Sequence, residues 1–215
     1  DRRDGSYRCS YVVGRTGRYS LALHCLKSGK MIKGSPWTVL VAPGPTYPPA
    51  SFLRGRDLGR AVAGETVSFE LCACDARGNA QLFGGEPWHC ELSGPYGASD
   101  APPIEVALSD RGDGFYRGRC TMAHAGEYTL AVTLRGAHCR GSPLRISTAA
   151  SGVHPARSTA EGTGLRAAFK GVPATFALIA RDAFGNRVSR GAHGYNVRVR
   201  PPLSATRAPD VFVGE

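Results

Sequence analysis

A block of this chain is written twice, about 107 to 109 residues apart. Asp4-Gly5-Ser6-Tyr7 returns as Asp113-Gly114-Phe115-Tyr116, Gly17-Arg18-Tyr19 as Gly126-Glu127-Tyr128, and Gly34-Ser35-Pro36 as Gly141-Ser142-Pro143. A second block repeats in the same spacing. Gly64-Glu65-Thr66-Val67-Ser68-Phe69 matches Gly171-Val172-Pro173-Ala174-Thr175-Phe176, and Asp75-Ala76-Arg77-Gly78-Asn79 matches Asp182-Ala183-Phe184-Gly185-Asn186. Solenoid units run roughly 20 to 50 residues, so this period is too long for one. It is the size of a whole small domain. The expected organisation is a string of like modules: the C-terminal half of a unit in 1–42, a Pro-rich linker in 43–50, a complete unit in 51–149 and the N-terminal part of a third in 150–215. Half a module leaves its apolar faces uncovered, so the sequence reads as a fragment of a longer array.

No long helical period appears. Short runs alternate apolar and polar, broken by Gly, Pro, Asp and Asn every roughly 8 to 12 residues, which is the pattern of an all-β fold. Within the complete unit the runs predict seven strands. The first lies near Leu53–Leu58. Val67–Ala73 follows, with Val67, Phe69, Leu71 and Ala73 inward. Then come Trp88–Leu92, with Trp88, Cys90 and Leu92 inward, and Ile104–Leu108, with Ile104, Val106 and Leu108 inward. Phe115–Cys120, Tyr128–Leu134 and Leu144–Ser147 complete the set. The expected fold class is all-β: tandem immunoglobulin-like, seven-stranded antiparallel sandwiches. Asp110-Arg111-Gly112-Asp113-Gly114 and Asp75-Ala76-Arg77-Gly78-Asn79 are turns in which Asp side chains cap backbone amides. Four prolines in Ala42–Ala50 predict a short, stiff, extended linker, whereas Thr148–Val153 should bend more easily.

The formal net charge is +10, which is compatible with an acidic partner. Its make-up argues for compositional bias instead. Only Lys27, Lys30, Lys33 and Lys170 are lysines, and apart from Arg2-Arg3 the arginines are scattered singly. Proteins that grip phosphate cluster their cations, so no nucleic-acid partner is expected. The small Lys27, Lys30, Lys33 group falls in a hairpin turn, as a solvated tip. No apolar run approaches the ~20 residues that span a bilayer, so no membrane insertion is expected in this segment. The seven cysteines lack the spacing of zinc ligands. Cys9, Cys25, Cys90 and Cys120 fall on apolar faces and are expected to be buried thiols, which leans toward a reducing compartment. Two oxygens from the Asp75–Asn79 turn are too few for calcium. The six histidines form no metal-protease motif, and no nucleophile elbow or phosphate loop is present. His138-Cys139 sits in a hairpin tip without the third group that a nucleophile pair needs. No catalytic, cofactor-binding or metal residues are therefore expected.

Asp113-Gly114-Phe115-Tyr116, then Gly126-Glu127-Tyr128-Thr129-Leu130-Ala131-Val132, then Gly141-Ser142-Pro143-Leu144 resembles the second half of a filamin-type (filamin/ABP280) immunoglobulin-like repeat. Asp4-Gly5-Ser6-Tyr7, Gly17–Leu23 and Gly34-Ser35-Pro36-Trp37 resemble it again. Gly162-Thr163-Gly164-Leu165, Ala168, Gly171 and Ala174-Thr175-Phe176 are similar to the family's opening. The Asp75–Asn79 turn and an insertion at Tyr96–Pro103 look like its divergent members. The resemblance implies a non-enzymatic scaffolding array that binds proteins, with a link to the actin cytoskeleton. Direct actin binding is not implied, because no calponin-homology segment is present. Cytoplasmic, cytoskeletal localisation goes with that reading; the alternative is an extracellular adhesion module of a gamete or cell-surface protein, which paired cysteines would favour.

In filamin-type repeats an extended peptide lies as an added strand between the third and fourth strands. Carried onto this chain, the docking edge is Trp88, His89, Cys90, Glu91 and Leu92 with Ile104, Glu105, Val106, Ala107 and Leu108. Backbone groups would supply affinity, and His89, Glu91, Glu105 and Ala107 would tune specificity. The implied partners are extended peptide segments, or further repeats through self-association, with actin reached only indirectly.

Overall fold

Every second side chain along Thr66–Cys72 and along Tyr128–Leu134 is buried, and these two runs become the central strands of two facing sheets. The computed structural model describes residues 4–56, 58–95, 102–189 and 194–200. The chain divides into two compact units, Asp1–Ala149 and Ala150–Glu215. In the first, β1 (Gly17–Leu21) pairs antiparallel with β2 (Trp37–Val41). Then come β3 (Phe52–Arg54), β4 (Arg60–Val62), β5 (Thr66–Cys72), β6 (Trp88–Ser93), β7 (Ile104–Glu105) and β8 (Leu108–Asp110). β9 (Phe115–Thr121), β10 (Gly126–Leu134), β11 (Ala137–His138) and β12 (Leu144–Ala149) complete it. In the second unit β13 (Thr159–Glu161) pairs antiparallel with β14 (Ala177–Ile179).

One sheet runs β3-β5-β9-β8 and the other β4-β12-β10-β6-β7, with β11 folded onto β10. Between them lies one apolar core. Val67, Phe69 and Leu71 from β5 and Tyr116 and Cys120 from β9 meet Cys90 and Leu92 from β6, Tyr128, Leu130 and Val132 from β10, and Ile146 from β12. Each fully buried Leu, Ile, Val or Phe side chain here contributes about 1.5–3 kcal/mol relative to leaving it in water. The immunoglobulin-like sandwich expected from the alternation is the fold observed.

Two of the seven expected strands are each broken between the sheets. Phe52–Arg54 pairs antiparallel with β5, but the chain then crosses and Arg60–Val62 runs parallel to β12 in the opposite sheet. Gly55 permits the crossing: a Cβ there would lie 3.0 Å from the Leu58 side chain and from the Ser68 carbonyl oxygen. The fourth strand divides likewise, β7 pairing with β6 and β8 with β9. Strands that change sheets at a bend make the corners of such sandwiches and shorten their exposed edges. Ile104 pays for this position with 62 % exposure, against the inward orientation expected of it, while Val106 is buried and Leu108 packs partly on the core.

Cys90 and Cys120 are buried as expected, but Cys9 and Cys25 are exposed. Cys9 lies outside any strand, and Cys25 opens a turn that the Gly29 N–H closes on its carbonyl oxygen at 2.8 Å. The linker is not simply extended. Pro48–Ala50 forms a single 3-10 turn, because proline at the first helical positions gives up no intrahelical donor. Pro155–Arg157 forms the same turn after the segment expected to bend more easily. The Tyr47 N–H bonds the Cys74 carbonyl oxygen at 2.7 Å, and in the second unit His154 N–H bonds that of Arg181 at 2.7 Å.

The repeated motifs share repeated hydrogen bonds. The Tyr128 hydroxyl donates to the His124 carbonyl oxygen at 3.0 Å, and Tyr19 to that of Arg15 at 2.9 Å. Val132 N–H donates to Ser142 Oγ at 2.8 Å, and Leu23 N–H to Ser35 Oγ at 2.9 Å. The serine of Gly-Ser-Pro thus supplies an acceptor where the strand before it has lost its neighbour. Ser142→Ala should lower the unfolding free energy by about 1–2 kcal/mol, because the buried Val132 N–H loses its acceptor. Chemical denaturation measures this. A loss under about 0.3 kcal/mol would mean that water replaces the hydroxyl at no cost.

Candidate functional site

The ten residues of the expected docking edge lie along one side of the sandwich. β6 is held on its inner side by β10 over six residue pairs, from Leu134↔Trp88 to Thr129↔Ser93. On its outer side β7 supplies only Glu91↔Glu105 and Leu92↔Ile104, continued by one bond from the Val106 N–H to the Cys90 carbonyl oxygen at 2.8 Å. The chain then leaves for the other sheet, where Leu108–Asp110 pairs with β9. Cys90, Glu91 and Leu92 are therefore brought directly against Ile104, Glu105 and Val106. Trp88 and His89 share no ladder pair with Ala107 or Leu108, so among the described residues the outer side of β6 is paired beside 90–92 and carries no ladder pair beside Trp88 and His89.

The side chains sort by the pleat. Cys90, Leu92 and Val106 point into the core, while His89, Glu105 and Ala107 are exposed. His89 Nε2 lies 3.3 Å from Glu91 Oε2. Glu91 stands directly opposite Glu105, and like charges at opposed positions destabilise a strand pair. The Trp88 ring meets Tyr116 edge-on, with centroids 6.4 Å apart at 61°, and packs against the core. Its indole Nε1 is buried and has no acceptor among the described residues. The insertion at Tyr96–Pro103 lies outside the described residues except for Pro102 and Pro103.

Sequence reasoning missed the residues that hold the approach to β6. Asp110 Oδ2 accepts the Gly85 N–H at 2.6 Å while its Oδ1 accepts that of Gly112 at 2.8 Å. The Tyr116 hydroxyl accepts the Glu86 N–H at 3.0 Å, and burial pushes that phenol above its ordinary pKa. The turn signal around Asp110 was visible, but not its reach across 25 residues to Gly85. Also missed was a charged row on the outer face of the other sheet. Arg54, Glu70 and Arg117 stand opposite one another across β3, β5 and β9. Glu70 receives Arg54 at 2.8 Å, Arg111 at 3.1 Å and Arg117 at 3.3 Å, and Arg54 before the others holds its carboxyl below the usual range. Arginines that look scattered in the sequence are collected by strand register.

The other polar groups have restricted chemistry. All seven cysteines are free. Burial pushes the Cys90 thiol up to about 12, with Cys120 and Cys139 nearby adding to it, and pushes Cys139 up to about 11. Cys74 is also raised to about 12, by burial and then by Cys72, whose Sγ lies 3.8 Å away. Protonated, enclosed thiols are poor nucleophiles and poor metal ligands. Among the described residues no three His, Cys, Asp or Glu side chains are placed to hold a metal ion. No described helix is long and apolar enough to cross a membrane.

What this site offers is a sheet edge and a set of exposed side chains beside it. The E3 ubiquitin-protein ligase TRIM45 of Mus musculus is 37% identical over 100 residues, 46% of this chain and 17% of that one. Filamin-C of Rattus norvegicus is 32% identical over 118 residues, 54% of this chain and 4% of that one. The chain thus spans a small part of the curated relatives it matches. The solved structure of the Escherichia coli adhesin FdeC superposes with a TM-score of 0.52 at 22% identity, covering 75% of this chain and 50% of that one, a likeness of fold. The model of the Filamin/ABP280 repeat family matches residues 45–145, from the linker to the start of β12. With its paired motifs, its two-sheet topology and this match, the segment 45–145 is a Filamin/ABP280 repeat.

Proposed function

We propose that the repeat docks an extended segment of a partner protein as an added strand on the outer side of β6, inside a scaffold of tandem modules spanning 1–42, 51–149 and 150–215. The repeat family is a structural domain for protein–protein interaction rather than a catalytic one. The observation that carries the reading is the shortness of the cover on β6: two residue pairs, one of them Glu91 against Glu105. An incoming strand that begins beside Trp88 and His89 and replaces Ile104–Val106 would exchange this weak ladder for a longer one, each strand residue adding about 3.3 Å of pairing. Basic side chains at alternate positions would face Glu91 and relieve the like-charge pair. The similarity to Filamin-C supports a cytoskeletal scaffold as the setting of the array, with actin reached only indirectly.

Titrating the isotope-labelled chain with extended peptides of about ten residues, carrying Arg or Lys at alternate positions, should shift amide resonances in 88–93 and 104–110. Shifts confined to residues outside those segments exclude this edge. Glu105→Arg should strengthen the resident cover by a cross-strand pair of about 0.2–1 kcal/mol and so weaken peptide binding up to about fivefold.

A further inference from the structure

The Asp75–Asn79 turn takes no part in the docking edge, yet its carboxylate accepts four hydrogen bonds. Asp75 is only 5 % exposed. Its Oδ1 accepts the backbone N–H groups of Arg77 and Asn79, both at 2.9 Å. Its Oδ2 accepts the Gly44 N–H at 3.0 Å and Asn79 Nδ2 at 2.8 Å. The last bond fixes the plane of the Asn79 amide. Held that way, Asn79 reaches the loop before β1, more than 60 residues back in sequence: Nδ2 donates to the Gly14 carbonyl oxygen at 3.2 Å, and Oδ1 accepts the Thr16 N–H at 3.3 Å. One side-chain amide thus pairs with a carbonyl and an N–H two residues apart, as a neighbouring strand would. Gln81 Nε2 adds a bond to the Gly44 carbonyl oxygen at 2.8 Å.

The junction is not filled throughout. A cleft of about 270 Å³ separates its two sides, lined among others by Val13, Val41, Pro45 and Ala76. The directional bonds of Asn79 run beside this cleft and bear on the orientation of the 14–16 loop. The cradle itself is a property of the repeat. Asp182 is buried and accepts Phe184 N–H at 2.9 Å, Asn186 N–H and Nδ2 both at 2.8 Å, and Ser151 N–H at 3.0 Å. Ser151 takes the place that Gly44 has at the first turn, so each cradle also grips the linker that enters its own module.

We propose that the Asp75–Asn79 turn is a coupling joint between modules. Asp75 orients Asn79, and Asn79 recognises the backbone of the 14–16 loop of the preceding module, fixing that module's direction relative to 51–149. The partner this surface fits is the loop of a like repeat that presents C=O and N–H two residues apart. The inference is independent of peptide docking at β6, since none of these groups belongs to that edge.

Residual dipolar couplings on the full chain test it. In the wild type, amides of β1–β2 and of β5–β9–β10 should fit one alignment tensor. Asn79→Ala and Thr16→Pro should each make two tensors necessary, the second variant removing the Thr16 N–H without touching the cradle. In Asn79→Ala the Thr16 amide should also exchange with solvent about tenfold faster, the effect of losing one hydrogen bond, while the Leu130 and Ile146 amides stay protected. A single tensor retained in Thr16→Pro overturns the proposal, even if Asn79→Ala separates the modules. So does a loss of protection in Asn79→Ala that reaches Leu130 and Ile146, because Asn79 would then serve the core of one module rather than the joint.

Discussion

Asp75→Ala should lower the unfolding free energy of the 51–149 module by about 3–5 kcal/mol, since four donors lose an anionic acceptor and charge-assisted bonds of this kind contribute about 1.5–3 kcal/mol each, less than additively. The backbone N–H groups of Arg77, Asn79 and Gly44 are held close to the vacated position by the turn and the linker, and the methyl of alanine can satisfy none of them. Asp75→Asn is the informative companion, being nearly isosteric but neutral. The acid limb separates the two roles of the carboxylate. Burial raises the Asp75 pKa, but the Asn79 amide and the N–H groups of Gly44, Asn79 and Arg77 more than reverse this and bring it from 3.8 to about 2. A carboxyl depressed in the folded state contributes stability that is complete above its unfolded pKa. That stability should therefore be present at pH 5 and fade as the pH falls from about 4 to about 2. Denaturation curves across this range should show a slope in the wild type that Asp75→Asn flattens. An equal slope in both would mean that the carboxylate is not the titrating group.

Asp75 also marks how far sequence could be read. Its capping of neighbouring amides follows from local chemistry: an Asp two residues before one N–H and four before another, with Gly78 free to take φ near +80°. The reach of Asn79 to Gly14 and Thr16 has no local signature, because it joins segments more than 60 residues apart. The same division holds across the fold. Alternation says which side chains point inward, and Val67, Phe69, Leu71, Cys90, Leu92, Leu130 and Val132 are buried accordingly. It does not say which backbone a strand bonds to. Ile104–Leu108 alternates without interruption, yet its first part joins β6 and its continuation joins β9. A period of two is the same in either sheet, so the crossing was hidden.

The docking edge shows the same limit. The residues of β6 and the run after it could be placed on one side of the sandwich from motif order alone. That Glu91 would face Glu105, that the cover would be two residue pairs long, and that Trp88 and His89 would stand outside it all depend on register, which a one-residue slip would invert. Arg54, Glu70 and Arg117 make the converse case: three residues far apart in sequence and unremarkable singly become a row once β3, β5 and β9 align.

Gly118→Ala should destabilise the repeat by about 2–3 kcal/mol, the cost of forcing a methyl into a filled core. The usual expectation has the opposite sign. Gly118 lies mid-strand in β9 outside the positive-φ region, where alanine ordinarily gains by restricting the unfolded chain. What reverses the sign is Phe69, directly opposite on β5 and 2 % exposed. A Cβ on Gly118 would sit inside the van der Waals envelope of the Phe69 ring, reaching Cζ, Cε1 and Cε2. The ring has nowhere to go, because Leu71, Leu130 and Ile146 around it are fully buried and protein cores hold few voids. Either Phe69 leaves its rotamer or the two sheets separate, and both lose core contacts. Shrinking the ring distinguishes this mechanism from a backbone effect. Phe69→Leu should cost stability alone, yet in that background Gly118→Ala should become close to neutral, a coupling of about 1–3 kcal/mol between the two sites. Chemical denaturation of the four proteins of the cycle measures it. Additive losses would place the strain in the β9 backbone, and a neutral Gly118→Ala in the wild type would show that the aromatic ring does not occupy the space the glycine leaves.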